Sequence, residues 1–206
     1  GVVTGVQGMR WYEATVTGRD AHTGSTPMNL RRNALVGAAR LVEAVDRIAH
    51  DHAPSAVGTV GLMEVHPNSR NVIPGRVKFS IDLRNATDAL CEAMDTDIRA
   101  VAAKLSAETG LPIEITEVSA YPAQPFHADC IAAVQKAADT LGYSNMRAVS
   151  GAGHDAVYMA RLAPAGMIFI PCKDGISHNE IEDAKPEHIE AGCNVLLHAM
   201  LERAGT

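Results

Sequence analysis

From Val77 to Leu83 apolar and polar residues alternate strictly, with Val77, Phe79, Ile81 and Leu83 on one side and Lys78, Ser80, Asp82 and Arg84 on the other. Successive side chains of a strand point to opposite faces, so this segment predicts a strand with one buried face and turns Arg84 away from the core. Met9–Thr17, rich in β-branched and aromatic residues and stopped by Gly18, reads as an earlier strand, and Val57–Val65 as another. Helical spacing takes over at Leu35, Ala38, Val42, Val45 and Ile48, within Asn29 to about His50. It returns at Leu90, Met94, Ile98, Val101 and Leu105, where Gly110 and Pro112 stop the helix before a last strand at Ile113–Val118. The order strand, helix, strand, strand, helix, strand predicts one sheet covered on one face by two helices.

Past Ser119 the pattern changes, and Tyr121, Pro122 and Pro125 mark a break that predicts a domain boundary. Ile131, Val134, Ala138 and Leu141 predict a helix ending at Gly142, and the apolar run Ala165–Ile170 predicts a strand buried on both faces. A final helix starts at Pro186, with Glu187 and Glu190 near the positive end of its dipole and an expected buried stripe of Ile189, Cys193, Leu196 and Met200. So few strands over residues 119–206 make a partial α/β layer that further elements should complete.

Composition narrows the function classes. At 206 residues, 47 % hydrophobic and 20 % charged, the chain can bury one large or two small cores. A net charge of −6 lacks the clustered Lys/Arg excess that a phosphate backbone demands, so no nucleic-acid partner is expected. The longest nearly apolar stretch, Leu162–Cys172, is interrupted by Pro164 and Pro171 and falls short of the roughly 20 residues a membrane span needs, so no membrane partner is expected either. Cys91, Cys130, Cys172 and Cys193 show no CxxC spacing, which points to thiols in a reducing cytoplasm. The chain opens at Gly1 with no initiator Met, and no signal peptide is read in it.

Four stretches carry residues able to do chemistry. Gly175-Ile-Ser-His178-Asn-Glu180 follows the last predicted strand, a position where open α/β sheets place ligands; His178 reads either as a metal-ligating imidazole or as an ordinary loop histidine. In Ser150-Gly-Ala-Gly-His154-Asp155 the glycines allow close approach to a ligand beside His154, or else form a plain turn before a helix. The stretch lacks the third glycine of a dinucleotide fingerprint, and Ser150 lacks the flanking glycines of a nucleophile elbow. Ala21-His22-Thr-Gly-Ser-Thr-Pro27 puts His22 beside flexible backbone, and Asn71-Val-Ile-Pro-Gly75 precedes the strand that ends in Arg84. Arg84 is suited to a bidentate carboxylate pair or to solvent. A Cys172/His154/Asp155 nucleophilic hydrolase rests on residue types alone, without spacing.

In set and order, AHTGSTP, NVIPG, the DLR that closes the alternating strand, SGAGHDA and GISHNE resemble the M20-type metallopeptidase-like amidohydrolases, the hydantoinase/carbamoylase amidases. These include N-carbamoyl-L-amino acid hydrolase, β-ureidopropionase and allantoate amidohydrolase. The resemblance runs from Gly1 almost to the C-terminus and is that of a C-terminal fragment. It implies that residues 1–7 end a linker from a missing N-terminal catalytic part, followed by a ferredoxin-like βαββαβ lid or dimerisation domain over residues 8–118 and then the last part of an α/β zinc-peptidase-like catalytic domain over 119–206.

By the same resemblance His178 is a metal ligand, and His22 binds the scissile carbonyl or its oxyanion. Asn71 and Arg84 grip the substrate carboxylate, and Gly153 and His154 line the same pocket. Implied as well are two divalent ions (Zn, Mn, Co or Ni) that activate water and polarise the ureido carbonyl, a small carbamoyl amino acid substrate, and a homodimer formed through the lid. The remaining metal ligands and the general-base glutamate would precede Gly1, so the 206 residues alone are expected to be inactive. The stretch Gly8-Met-Arg-Trp-Tyr12 leans toward the carbamoylases and β-ureidopropionases. The competing readings are allantoate hydrolysis and a dimerisation module with no chemistry of its own.

Overall fold

Val2, Val3 and Val6 are almost completely buried, because the first strand, β1 (Val2–Val6), lies inside a sheet. In the computed structural model, which describes residues 1–205, the chain divides into two compact units, Gly8–Ala123 and Gly1–Gln7 together with the chain from Gln124 onward. Residues 1–7, expected as linker, thus supply a core strand of the second unit, and the division falls after Ala123 where Val118 was expected.

The unit from Gly8 to Ala123 begins with β2 (Gly8–Thr17) and the short β3 (Ala21–His22), followed by α1 (Ala34–Asp51). The helix starts at Ala34 and not at Asn29, because the Asn33 side chain accepts from the Leu35 and Val36 amides and caps it there. Residues 28–30 form a separate 3-10 turn. Where one strand was expected over Val57–Val65 there are two, β4 (Val57–Thr59) and β5 (Met63–His66), both antiparallel to the later β7 (Arg76–Asn85). At the break the Leu62 amide turns to the Ser80 hydroxyl instead of a backbone carbonyl. After β6 (Val72–Ile73) and β7 come α2 (Asp88–Thr109), capped by Thr87 and closed by left-handed Gly110, and β8 (Ile113–Tyr121).

Strand order is β4–β7–β2–β8, with β5 also on β7, and the pairs are antiparallel. Tyr12, Ala14 and Val16 of β2 and Val77, Phe79, Ile81 and Leu83 of β7 share one core with Ala38, Leu41 and Val45 of α1 and Met94, Ile98 and Leu105 of α2. Both helices therefore lie on one face, and the alternation of β7 is realised as read. Apart from this sheet, β3 pairs with β6 as a two-stranded ribbon.

In the other unit β1 runs parallel to β10 (Arg147–Ser150) and antiparallel to β11 (Met167–Ile168) and β9 (Gln124–Pro125). Val2 and Ile168 pack with α3 (Ala128–Thr140) and α5 (Pro186–Ala204), while Val3, Val6 and Met167 pack with the short α4 (Asp155–Ala160). The strand expected over Ala165–Ile170 is only two residues long, antiparallel, and half-buried rather than sealed on both faces.

The stripe expected to be buried on α5 is exposed instead: Ile189 is 48 %, Leu196 50 % and Met200 61 % accessible. Val195 and Ala199 make the contact, against Ala133, Val134, Ala137 and Ala138 of α3. Small residues on both helices permit close approach, whereas α5 carries apolar residues around more than one face, so periodicity does not identify the docked one. The exposed stripe, with Cys130, Gly166 and Ile170, lines a groove of about 770 Å³. Among the described residues no helix is long and apolar enough to cross a membrane.

Two substitutions test this assignment in urea denaturation of the 206-residue chain. Leu196→Ser should change stability by no more than about 0.5 kcal/mol, whereas Ala199→Leu should cost about 1–3 kcal/mol through overpacking against α3.

Candidate functional site

The ribbon of β3 and β6 carries two of the expected site residues. His22 pairs with Val72, and the Thr23 amide donates to the Asn71 carbonyl at 3.0 Å, so AHTGSTP and NVIPG lie side by side. Gly75, at the end of the second motif, donates its amide to Asp20 Oδ1 at 2.7 Å. A Cβ on Gly75 would come within 2.3 Å of that oxygen, so only glycine lets the two loops close on each other.

His22 is exposed, but its ring is oriented by backbone. The amides of Gly24 and Ser25 donate to Nδ1 at 3.0 and 3.2 Å. An amide N–H can only donate, so in the neutral ring Nδ1 carries the lone pair and Nε2 carries the proton. The loop thereby presents an Nε2–H donor outward. Asn71, also exposed, uses its side-chain oxygen to accept from Ser69 Oγ at 2.9 Å, which leaves its amide nitrogen as the outward donor.

Arg84 projects from the face of the sheet opposite the helices, as the alternation requires. It does not stand alone there: Nε lies 3.0 Å from Asp82 Oδ1, and a terminal nitrogen lies 2.7 Å from Asp82 Oδ2. Both side chains are about three-quarters buried, and the carboxylate's hydrogen bonds raise the guanidinium above its ordinary pKa. The pleat places residues two apart on one face, so this pair was readable in the sequence; Asp82 was the partner that went unassigned.

In the second unit, Ser150 ends β10 and is 1 % accessible, and the Gln7 amide donates to its carbonyl at 2.8 Å. Its hydroxyl lies 2.9 Å from Nε2 of half-buried His154, whose ring also meets the edge of Phe169 at 5.7 Å. Gly153 is exposed, its φ is not left-handed, and a Cβ there would meet nothing within 4 Å. Its glycine is therefore explained neither by backbone conformation nor by crowding within this chain. No nucleophilic triad forms: none of the hydrogen bonds described joins Cys172, His154 and Asp155 to one another.

His178 lies in the loop between β11 and α5, exposed, with left-handed backbone at φ 57°. The loop is closed by Lys173 N to the Asp183 carbonyl at 2.7 Å and by His178 N to Glu182 Oε2 at 2.9 Å. Among the described residues no group of three His, Cys, Asp or Glu side chains could hold a metal ion. One exposed imidazole does not fit a two-metal centre, which needs several nitrogen and oxygen ligands. The structure thus brings His22 to Asn71 and Ser150 to His154, and leaves His178 without a companion ligand among the described residues.

Comparisons with known proteins concern the chain as a whole. Residues 13–202 match the profile of Peptidase family M20/M25/M40. The chain is 48 % identical over 204 residues to the N-carbamoyl-L-amino-acid amidohydrolase of Rhizobium meliloti, covering 99 % of the chain and 49 % of that protein. It is 33 % identical over 205 residues to the allantoate amidohydrolase of Bacillus subtilis, again covering 99 % of the chain and 50 % of the relative. A crystal structure of a hydantoinase/carbamoylase-family amidase from Burkholderia multivorans superposes with a TM-score of 0.94 at 55 % identity, covering 98 % of the chain and 49 % of the other. The chain spans about half the length of the relatives it matches. With the profile and these relatives extending over nearly all of its residues, the chain belongs to peptidase family M20/M25/M40.

Proposed function

We propose that the polypeptide of which this chain forms part hydrolyses the ureido C–N bond of an N-carbamoyl amino acid, taking up water and releasing the amino acid, ammonia and carbon dioxide. The observation that carries this reading is the orientation of His22. Gly24 and Ser25 hold its Nδ1, so Nε2–H stands ready to donate to a carbonyl oxygen as negative charge develops there, with no reorganisation at the moment of reaction. The names of the relatives, N-carbamoyl-L-amino-acid amidohydrolases among them, support that class of substrate.

Arg84 and the Asn71 amide are proposed to receive the substrate carboxylate. Asp82 holds the guanidinium fork ready and competes for it, so the pair sets how firmly a carboxylate is gripped. Gly153 is proposed to be a glycine because substrate or another segment passes close to it. The unit of Gly8–Ala123, whose sheet strands and helices follow the order β2, α1, β4, β5, β7, α2, β8, is proposed as a ferredoxin-like lid through which two copies pair. The unit containing β1 and α5 is proposed as the last part of the catalytic domain, its exposed α5 stripe covered by the rest of the polypeptide. His178 becomes a metal ligand only when that remainder supplies the others; its left-handed backbone, which costs roughly 1–2 kcal/mol for a non-glycine residue, fits a loop shaped for a ligand. The four free thiols fit a cytoplasmic setting.

Ammonia release by the longer polypeptide from N-carbamoyl-L-amino acids, N-carbamoyl-β-alanine and allantoate tests the substrate; activity confined to peptides would refute the class. The 206-residue chain alone should show no metal-dependent turnover and no stoichiometric zinc or manganese binding by calorimetry. In the longer polypeptide His22→Ala should lower kcat by roughly 10²–10³. Arg84→Lys should raise KM about tenfold or more, for loss of a charged hydrogen bond. Near-normal turnover after both changes would make the lid purely structural. Gly153→Ala should leave the fold unchanged or stabilise it by about 0.4–1 kcal/mol, yet reduce activity, as comparison of thermal melts with steady-state rates would show.

A further inference from the structure

We infer that Ser150 is a positioning residue that fixes the tautomer of His154, so that the ring turns a bare Nδ1 toward the substrate and accepts a hydrogen bond from a ureido N–H. The inference rests on the reading of His154 as a residue of the substrate pocket, and it adds which nitrogen acts and what it recognises.

The argument is one of hydrogen-bond valence. A serine hydroxyl has one proton to give and two lone pairs to offer. Ser150 Oγ has three neighbours at hydrogen-bonding distance: the Ala152 carbonyl at 3.0 Å, the Ala152 amide at 3.1 Å and His154 Nε2 at 2.9 Å. The carbonyl can only accept, so it takes the hydroxyl proton. The amide can only donate, so it takes one lone pair. What remains for His154 is the second lone pair, and only an Nε2–H can use it. The serine itself is 1 % accessible, so its hydroxyl is matched by these three protein neighbours rather than by bulk water.

The neutral ring is therefore protonated on Nε2, and its acceptor is Nδ1. Among the described residues none bonds Nδ1, and the ring plane is held from the side by the edge-on contact with Phe169. Ser150 is itself fixed by β1, since it pairs with Val6 and its carbonyl receives the Gln7 amide. The chain of support runs from the central strand through Ser150 to the imidazole. An acceptor nitrogen matches the N–H groups of a ureido function and does not match a carboxylate, which brings only acceptors.

The first test needs no variant. Long-range proton–nitrogen correlation spectra of the 206-residue chain with nitrogen-15 histidine, at about pH 8 where ordinary histidines are neutral, should show His154 with a pyrrole-type Nε2 and a pyridine-type Nδ1. His154→Gln assigns its signals by their loss. The reverse pattern would overturn the inference whatever the enzyme does. Ser150→Ala should abolish the single-tautomer pattern and Ser150→Thr should keep it; an unchanged pattern in Ser150→Ala would remove the serine from the argument.

In the longer polypeptide Ser150→Ala should lower kcat/KM about tenfold for an N-carbamoyl amino acid and less for the N-formyl analogue, which lacks the terminal NH₂, with recovery in Ser150→Thr. Equal losses on both substrates would overturn the recognition of a ureido N–H. If the tautomer is as inferred while the longer polypeptide hydrolyses no ureido compound, the proposed function fails and the hydrogen-bond assignment stands.

Discussion

The ladder between β2 and β7 runs without interruption from Gly8 opposite Asn85 to Thr17 opposite Arg76, and the unit it belongs to is organised around that register. A shift of one residue would move Tyr12, Ala14 and Val16 of one strand, or Val77, Phe79, Ile81 and Leu83 of the other, out of the core shared with α1 and α2. Burying those seven side chains pins the register. It also decides where Arg84 and Asp82 go, since residues between inward positions have only the outer face left to them. The ion pair on that face follows from the core behind it.

Hydrogen-bond direction does for the histidines what the register does for Arg84. Backbone amides donate and carbonyls accept, and neither can change role. At His22 two amides fill Nδ1, which leaves Nε2–H as the outward group. At His154 a serine, already committed to one amide and one carbonyl, accepts from Nε2 and leaves Nδ1. The two imidazoles thus face outward with opposite character, one a donor and the other an acceptor.

The unit built on β1 is less self-sufficient. Its sheet is short, α4 has only six residues, and α5 leaves Ile189, Leu196 and Met200 in the open. Exposed apolar stripes of this kind mark surfaces meant to be covered. Among the described residues no group of three His, Cys, Asp or Glu side chains gathers around His178 either.

Local pattern determined much of this from the sequence alone. The alternation of β7, the helical spacing of α1 and α2 and the placing of both helices on one face of the sheet were legible because each element has one apolar side, and Asp82 stood two residues from Arg84 in plain view. The motifs AHTGSTP, NVIPG, SGAGHDA and GISHNE were legible too, and with them the family. What the sequence left open was every choice between equivalents. The helix α5 is apolar on more than one side, and only contact with the alanines of α3 chose Val195 and Ala199 over Leu196 and Met200. Residues 1–7 carry no period long enough to reveal a strand, and pairing with β10, β11 and β9 made them one. A histidine's letter does not say which nitrogen holds the proton, because that depends on the groups the folded chain sets against the ring. For His22 the partners are two and three residues away, and for His154 four, yet only folded geometry brings them within hydrogen-bonding distance.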